Sequence, residues 1–341
     1  MKVTIKDVAK KANVSPSTVS RVLSDSPRIS TETKERVRKV MKELNYHPNS
    51  MARSLASNSS NVLGIVFPRS GNLAFQNPFF SDVLRGIMTS ANENNFGIQL
   101  AAADDEAEIL KSVKDMIRGR RVDGIIMLYS KENDQIIKFL HEVNFPFVMI
   151  GKPYDYEEKI THIDNDNVSA GEEGTNYLLK LGHRHIGFIG GNKKLMVTKN
   201  RLEGYKKALE NNGIPFDPNY VKYEEFLVSG GKHGVEQLLS LKNPPTALLV
   251  TDDIMALGVL RTLKMMGQQV PTDLSILSFN NSMFAELSEP GLTSMEINIV
   301  EMGYHAVKNI IDKINHPKEP VKRVIIPHQL IIRSSCNPAR E

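Results

Sequence analysis

The chain has 341 residues, of which 40% are hydrophobic and 24% charged, so it is long enough for two or three domains of ordinary globular composition. Its single cysteine, Cys336, excludes an internal disulfide framework and is compatible with a reducing compartment. No apolar segment precedes the first predicted helix, and no run of about eighteen apolar residues occurs, which excludes a standard secretion signal and a transmembrane helix. We therefore expect a cytoplasmic protein with no membrane partner.

The positive charge is concentrated near the N-terminus. Residues 1–60 contain twelve Lys and Arg against five Asp and Glu, which is a net charge of +7. Because the whole chain has a net charge of +4, the remaining 281 residues carry −3. A basic excess confined to one small segment favours a nucleic acid as its partner.

This basic segment has the pattern of three short helices. Thr4 is a suitable N-cap for the first helix, with Asp7 three residues later, and Asn13 suits the tight turn that follows. Ser15 and Pro16 then start a second helix as N-cap and first helical residue. The first and third helices each have apolar residues at i, i+3, i+4 and i+7, namely Ile5, Val8, Ala9 and Ala12, and Val37, Val40, Met41 and Leu44. Three such helices with a tight turn between the first two predict a helix-turn-helix domain.

The second helix has the chemistry of a DNA-reading helix. Val19, Val22 and Leu23 share its inner side, whereas small hydroxyls and one guanidinium lie on its outer side. The outer residues are Pro16, Ser17, Thr18, Ser20 and Arg21. An arginine can bind guanine O6 and N7 in bidentate fashion, and hydroxyls near a helix N-terminus reach phosphates or base edges. The alternative is a solvated helix face without a partner.

Residues 49–57 predict a hinge helix. Pro48 ends the third helix, and Asn49 can cap a new one. So short a helix is unstable alone, and we expect it to order only against another surface. An exposed Leu55 suits a wedge between base steps of the DNA minor groove, although it could instead pack on the next domain.

Beyond a small, polar linker at residues 56–61, apolar strands alternate with amphipathic helices, and the pattern restarts near residue 161. This alternation predicts two α/β lobes with parallel sheets and a cleft between them. Ligands of such sheets bind beyond the carboxyl ends of the strands. The residues that follow the predicted strands include 68–69, 77–80, 164–166, 201, 251–253 and 280–281, and among them we expect Phe79, Asp164, Arg201, Asp252 and Asn280 at the site. Polar groups beside an aromatic ring suit a sugar, although Asp164 or Asp252 alone could simply cap a helix.

Several segments together resemble the lactose-repressor (LacI/GalR) family of bacterial transcription regulators. In the N-terminal part these are residues 4–9, 14–22, 43–49 and 52–55, and in the remainder they are residues 77–80, 182–191, 201–205 and 252–258. Residues 163–168, 190–195 and 327–330 are most similar to maltose-operon repressors of Gram-positive bacteria. Asn280 and Asn281 depart from the family, in which many members have aspartates there.

The resemblance implies a periplasmic-binding-protein-like effector domain, a homodimer and a pseudo-palindromic double-stranded operator. It implies that the second helix reads the major groove and that the leucine matching Leu55 wedges into the operator centre. The DNA-binding residues expected are Thr4, Ser15, Pro16, Ser17, Thr18, Ser20, Arg21, Asn49, Arg53 and Leu55. Phe79, Arg201, Asp252 and Asn280 match positions that the family turns toward its effector.

We therefore expect a transcriptional repressor of a carbohydrate-utilisation operon that a small sugar, such as maltose or a maltodextrin, releases from DNA. The alternatives are an activator or corepressor-dependent regulator, and a sugar-binding protein that does not bind DNA. No catalytic or metal-ligating constellation occurs, so we expect neither an enzyme nor a cofactor. The expected domains are residues 1–60, an N-lobe of residues 61–160 and 291–320, and a C-lobe of residues 161–290 and 321–341.

Overall fold

The computed structural model describes residues 3–23, 26–46, 59–68 and 74–340. The N-terminal part contains α1 (Ile5–Ala12), α2 (Pro16–Leu23) and α3 (Thr31–Glu43). Asn13 ends α1 in the left-handed region, with φ 53°, which makes the tight turn into α2. The three helices enclose a small aliphatic core formed by Val8, Ala9, Ala12, Val19, Val22, Val37 and Val40. The predicted helix-turn-helix domain is thus confirmed.

Strands and helices alternate through the rest of the chain, as the sequence predicts. In chain order these elements are β1 (Val62–Val66), α4 (Pro78–Glu93), β2 (Gly97–Ala101), α5 (Glu106–Arg118), β3 (Gly124–Met127), α6 (Gln135–Glu142), β4 (Phe147–Ile150), β5 (His162–Asp164), α7 (Asn167–Lys180), β6 (Ile186–Gly190), α8 (Met196–Asn211), β7 (Val221–Tyr223), α9 (Val228–Leu239), β8 (Ala247–Val250), α10 (Asp253–Met265), β9 (Ser275–Asn280), α11 (Met283–Leu287), β10 (Thr293–Glu296), α12 (Ile299–Asn315), β11 (Arg323–Ile325) and β12 (Gln329–Ile331).

These strands form two six-stranded sheets, one in each lobe. The N-lobe sheet has the order β11-β5-β4-β3-β1-β2, and the C-lobe sheet has the order β12-β10-β9-β8-β6-β7. All neighbouring strands are parallel except β12, which pairs antiparallel with β10. The strands β3, β4, β6 and β8 are buried along their whole length because helices cover both faces of a parallel sheet. The predicted α/β fold of two lobes is confirmed.

The sheet order corrects the predicted lobe boundaries at three strands. β5 pairs with β4 and β11 pairs with β5, so both belong to the N-lobe although residues 161–164 and 321–325 were predicted in the C-lobe. β10 pairs with β9 in the C-lobe, although residues 291–296 were predicted in the N-lobe. The chain therefore crosses between the lobes three times, after β5, after β10 and after β11. A sequence pattern shows that a strand exists but does not show which distant strand it pairs with.

One side chain joins all three crossing segments. Asn165 lies in the first crossing, and its buried amide donates hydrogen bonds to the carbonyl of Ile297 in the second (2.8 Å) and of Ile326 in the third (3.1 Å). A buried amide with these partners fixes the three segments relative to one another. Among the helices of the described residues, none is both long and apolar enough to cross a membrane.

Candidate functional site

The N-terminus of α2 is organised by hydroxyl groups. The hydroxyl of Ser15 accepts a hydrogen bond from the backbone N–H of Thr18 at 3.1 Å, which caps the helix. It also lies 2.7 Å from the hydroxyl of Ser17 and 2.9 Å from that of Thr18. These three hydroxyls form one cluster, which lies at the surface where a helix N-terminus attracts anions.

The predicted DNA-binding residues on α2 share one outer surface. Ser15, Pro16, Ser17 and Arg21 are exposed, and Thr18 and Ser20 are half-buried at its border. These six residues therefore lie on the accessible side of α2, and their contacts with DNA remain a prediction.

The exposed Thr4 starts α1 and is held by Asp7. The backbone N–H and the hydroxyl of Thr4 both donate to Asp7 Oδ2, at 2.8 and 2.7 Å. The hydrogen bonds from Thr4 lower the pKa of the Asp7 carboxyl below its ordinary value. The remaining predicted DNA-binding residues, Asn49, Arg53 and Leu55, lie outside the described residues.

A cleft of about 300 Å³ lies between the two lobes. All five residues that the sequence predicts at an effector site line it, namely Phe79 and Asp164 from the N-lobe and Arg201, Asp252 and Asn280 from the C-lobe. They come together because the carboxyl ends of the strands in both lobes face this cleft.

Arg201 forms the centre of the C-lobe wall. Its Nε donates to Oδ1 of Asn167 at 2.9 Å, its Nη1 donates to the carbonyl of Thr251 at 2.7 Å, and its guanidinium lies 4.2 Å from the ring centre of Phe279. Burial lowers the pKa of Arg201 to about 10, so it remains charged at neutral pH. A Cβ on Gly171 of α7 would lie 2.4 Å from the Arg201 carbonyl, so glycine there permits the close approach of α7 and α8 that positions the guanidinium.

Asp252 joins the two lobes directly. Its Oδ1 accepts from the backbone N–H of Ile254 at 2.9 Å and so caps α10. Its Oδ2 accepts from the amide of Asn77 in the N-lobe at 2.8 Å and from that of Asn280 at 3.0 Å. Asn77 in turn caps α4 by accepting from the backbone N–H of Phe79 at 2.9 Å. Asp252 is therefore both a helix cap and the acceptor of a bond between the lobes.

Asp164 lies at the end of β5, where Asn167 links it to Arg201. The amide nitrogen of Asn167 donates to Asp164 Oδ1 at 2.9 Å, while the amide oxygen of the same residue accepts from Arg201. Burial raises the pKa of both Asp164 and Asp252 to about 7, and hydrogen-bond donors and Arg201 only partly offset this effect. The hydrogen-bond partners of these three charged groups are thus amides and backbone groups, and Asn167 bridges Asp164 to Arg201.

A second contact between the lobes involves residues that line the cleft. Residues 130–132, after β3, run beside residues 194–196, before α8, with an antiparallel bridge between Lys131 and Leu195. The backbone N–H of Met196 donates to the Ser130 carbonyl at 3.0 Å, and that of Glu132 donates to the Lys194 carbonyl at 3.2 Å. These backbone hydrogen bonds form a second direct link between the lobes, beside residues that line the cleft.

Several further groups line the cleft beside the five predicted site residues. Two of them, the hydroxyls of Ser130 and Thr251, are buried and have no hydrogen-bond partner within the described part of the chain. The others supply amides and aromatic or apolar surface, and they include Asn77, Phe80, Tyr129, Asn165, Asn167 and Phe226. Phe79 and Phe80 pack edge to face with ring centres 5.3 Å apart. Amides, unpaired hydroxyls and flat apolar surface together suit the hydroxyl and C–H groups of a sugar ring.

Two family models match the chain. The model of bacterial regulatory proteins of the lacI family matches residues 4–49, and that of the periplasmic binding protein-like domain matches residues 175–336. Among curated proteins, the HTH-type transcriptional regulator MalR of Streptococcus pneumoniae is 43% identical over 335 residues, which is 97% of this chain and 99% of the relative.

Solved structures agree with this relationship. The complex of the transcriptional regulator CelR with cellobiose is 29% identical, with a TM-score of 0.78 over 98% of this chain and 99% of that one. The lac repressor dimer bound to operator and the anti-inducer ONPF is 25% identical, with a TM-score of 0.84 over 99% of this chain and 100% of that one. With a helix-turn-helix domain, a two-lobed domain and a full-length relative at this identity, the chain belongs to the lacI family of bacterial regulatory proteins and is a DNA-binding transcription regulator rather than an enzyme.

Proposed function

We propose that this regulator is a homodimeric repressor of a carbohydrate-utilisation operon and that maltose or a short maltodextrin in the cleft releases it from its operator. The observation that carries the proposal is the cleft itself. Its two walls are joined through Asp252 and Asn77, so a ligand bound there contacts both lobes and senses their separation.

The proposed effector is neutral. Asp164, Arg201 and Asp252 already have hydrogen-bond partners, and two of the lysines that line the cleft, Lys131 and Lys152, form ion pairs with Glu106 and Glu157. Asn280 offers an amide where many members of the family have a carboxylate. A disaccharide is supported by the cellobiose complex of CelR, and maltose is supported by MalR and by the resemblance of residues 163–168 and 190–195 to maltose-operon repressors.

The operator contacts are proposed on the exposed surface of α2. We assign base reading to Arg21 and Ser20, and backbone contacts to Ser15, Ser17 and Thr18, whose hydroxyls cluster at the helix N-terminus. Thr4, Pro16, Asn49 and Arg53 complete the proposed interface, with Leu55 as the minor-groove wedge. A regulator that acts on chromosomal DNA works in the bacterial cytoplasm.

The homodimer is supported by an apolar surface at one edge of both sheets. Each sheet has one edge strand next to the crossing segments, β11 in the N-lobe and β12 in the C-lobe. The strand at the other edge is β2 in the N-lobe and β7 in the C-lobe. Large apolar side chains are exposed on or beside these two strands, namely Met88, Leu100, Tyr223 and Val228. If two copies of the chain pair through this surface across a two-fold axis, their two α2 helices can contact the two halves of a pseudo-palindromic site.

The sugar acts in this proposal through its differential affinity for two lobe arrangements. Bound sugar favours one separation of the lobes, and the arrangement of the paired N-lobes in turn favours or disfavours the hinge helices at residues 49–57. The affinities for sugar and operator are then coupled by one free energy.

The test is binding of the full-length protein to a labelled duplex from upstream of its own gene, at two salt concentrations, with maltose, maltotriose and a phosphorylated hexose added in turn. Tight, salt-sensitive binding that maltose or maltotriose weakens supports the proposal. Binding that a sugar strengthens supports the corepressor alternative. Sugar binding without DNA binding supports the sugar-binding alternative.

A further inference from the structure

The linker from the DNA-binding domain is tied to the N-lobe by one carboxylate. Asp123 accepts four hydrogen bonds from residues 59–61: from the hydroxyls of Ser59 (2.6 Å) and Ser60 (2.9 Å), and from the backbone N–H groups of Ser60 (2.8 Å) and Asn61 (2.7 Å). The chain that carries the DNA-binding domain therefore enters the N-lobe at a fixed point, immediately before β1.

A cluster of arginines lies beside this fixed point. Arg118 is the last residue of α5, Arg120 and Arg121 follow in the connection to β3, and all three are exposed and lie two to five residues before Asp123. Within the described part of the chain, neither Arg118 nor Arg121 forms an ion pair. The residues after position 60 have a net charge of −3, so this cluster is a local exception in a mildly acidic domain.

The arginine cluster lies on the side of the N-lobe that faces away from the cleft. Residues at the carboxyl ends of the strands line the cleft. The arginine cluster, in contrast, precedes the amino end of β3, and Asn61 precedes the amino end of β1. Leu55, the proposed DNA wedge, lies four positions before Ser59, so their Cα atoms are at most about 14 Å apart.

We propose that Arg118 and Arg121 of the N-lobe contact the DNA phosphate backbone, so that the effector domain contributes directly to operator affinity. Each guanidinium pairs with phosphate oxygens and displaces condensed counterions. Such contacts strengthen binding to every sequence alike, since phosphates carry no base information. Effector-driven movement of the N-lobe then changes operator affinity through these contacts as well as through the hinge. The proposal rests on the proposed DNA-binding function.

The test compares two double variants that lose the same charge. Arg118→Gln with Arg121→Gln removes the proposed phosphate-binding groups, and Lys242→Gln with Lys264→Gln removes two exposed charges from the C-lobe. Binding of each full-length protein is measured between about 50 and 200 mM KCl. The probes are the duplex from upstream of the gene and a mixed-sequence duplex of equal length. Maltose affinity and thermal unfolding of every variant verify that the domains remain folded.

For the arginine variant we expect a shallower slope of log K against log[KCl] than for the control. The slope should change by about 0.9 for each phosphate contact that is lost. Since a dimer loses at least one contact per subunit, the total change should be at least about 1.8. The decrease in affinity should be equal on both duplexes, and Arg118→Lys with Arg121→Lys should restore most of the slope. A glutamine variant with the slope of its control overturns the inference and leaves DNA binding intact. A wild-type protein that binds neither duplex overturns the proposed function and the inference with it.

Discussion

Replacement of Asn77 by serine tests the bond between the lobes. Serine is a good N-cap, so Asn77→Ser retains the cap of α4, but its shorter side chain cannot reach Asp252. The hydrogen bond that this variant removes is 2.8 Å long, joins two buried groups and has a carboxylate acceptor. A hydrogen bond to a charged group contributes about 1.5–3 kcal/mol. If this free energy stabilises the arrangement that holds the sugar, sugar affinity should fall about 10- to 100-fold.

The assay is calorimetric titration with maltose at a pH of about 8, above the raised pKa of Asp252 so that its side chain is mostly ionised, together with operator binding in the absence of maltose. The matched control is Asp105→Ser, which makes a similar change at the N-cap of α5, where the side chain accepts from the backbone N–H of Glu108 and, among the described residues, from no group of the other lobe. We expect this control to bind sugar like the wild type, and we expect operator affinity without sugar to be retained in both variants. Wild-type sugar affinity in Asn77→Ser would refute the reasoning.

Three further predictions follow from single groups. Arg201→Lys loses the flat packing on Phe279 and the two directed hydrogen bonds, so we expect sugar affinity to fall at least about tenfold with operator affinity unchanged; equal sugar affinity in calorimetry would contradict this. Arg21→Ala should cost about 1–3 kcal/mol at one base pair per half-site and relax discrimination there, whereas unchanged ratios across single-base operator variants would argue against base reading. Burial raises the pKa of Asp252 from 3.8 to about 7, so its contribution to stability is greatest below pH 4 and is lost as the pH rises toward 7. Relative to Asp252→Asn, the wild-type unfolding free energy should fall by up to about 1.4 kcal/mol per pH unit in this window, and parallel pH profiles in chemical denaturation would rule this out.

The cleft residues could be predicted because a general rule places them. Polar groups after parallel strands meet at one edge, and this rule, together with the family resemblance, assigned Phe79, Asp164, Arg201, Asp252 and Asn280 to one site although they span two lobes. The same reasoning did not predict the roles of Asn77 and Asn167. Each acts through a partner in a distant segment, and nothing in the local sequence identifies that partner.

The prediction of the lobe boundaries was wrong for a related reason. β5, β10 and β11 have three or four residues each, and short strands of this kind can pair in either sheet. Their membership is decided by the three crossings that Asn165 holds together, which is a property of the assembled lobes. In the DNA-binding domain, by contrast, caps and apolar spacing are local, and the pattern predicted the start of α2 at Pro16.

The central claim is that sugar and operator share one coupling free energy, and it is tested most directly by reciprocity. Maltose affinity of the full-length protein should be measured by calorimetry with and without a saturating amount of its operator duplex. The account predicts that operator weakens maltose binding by the same factor by which maltose weakens operator binding. Maltose affinity that is identical in the two titrations would contradict it.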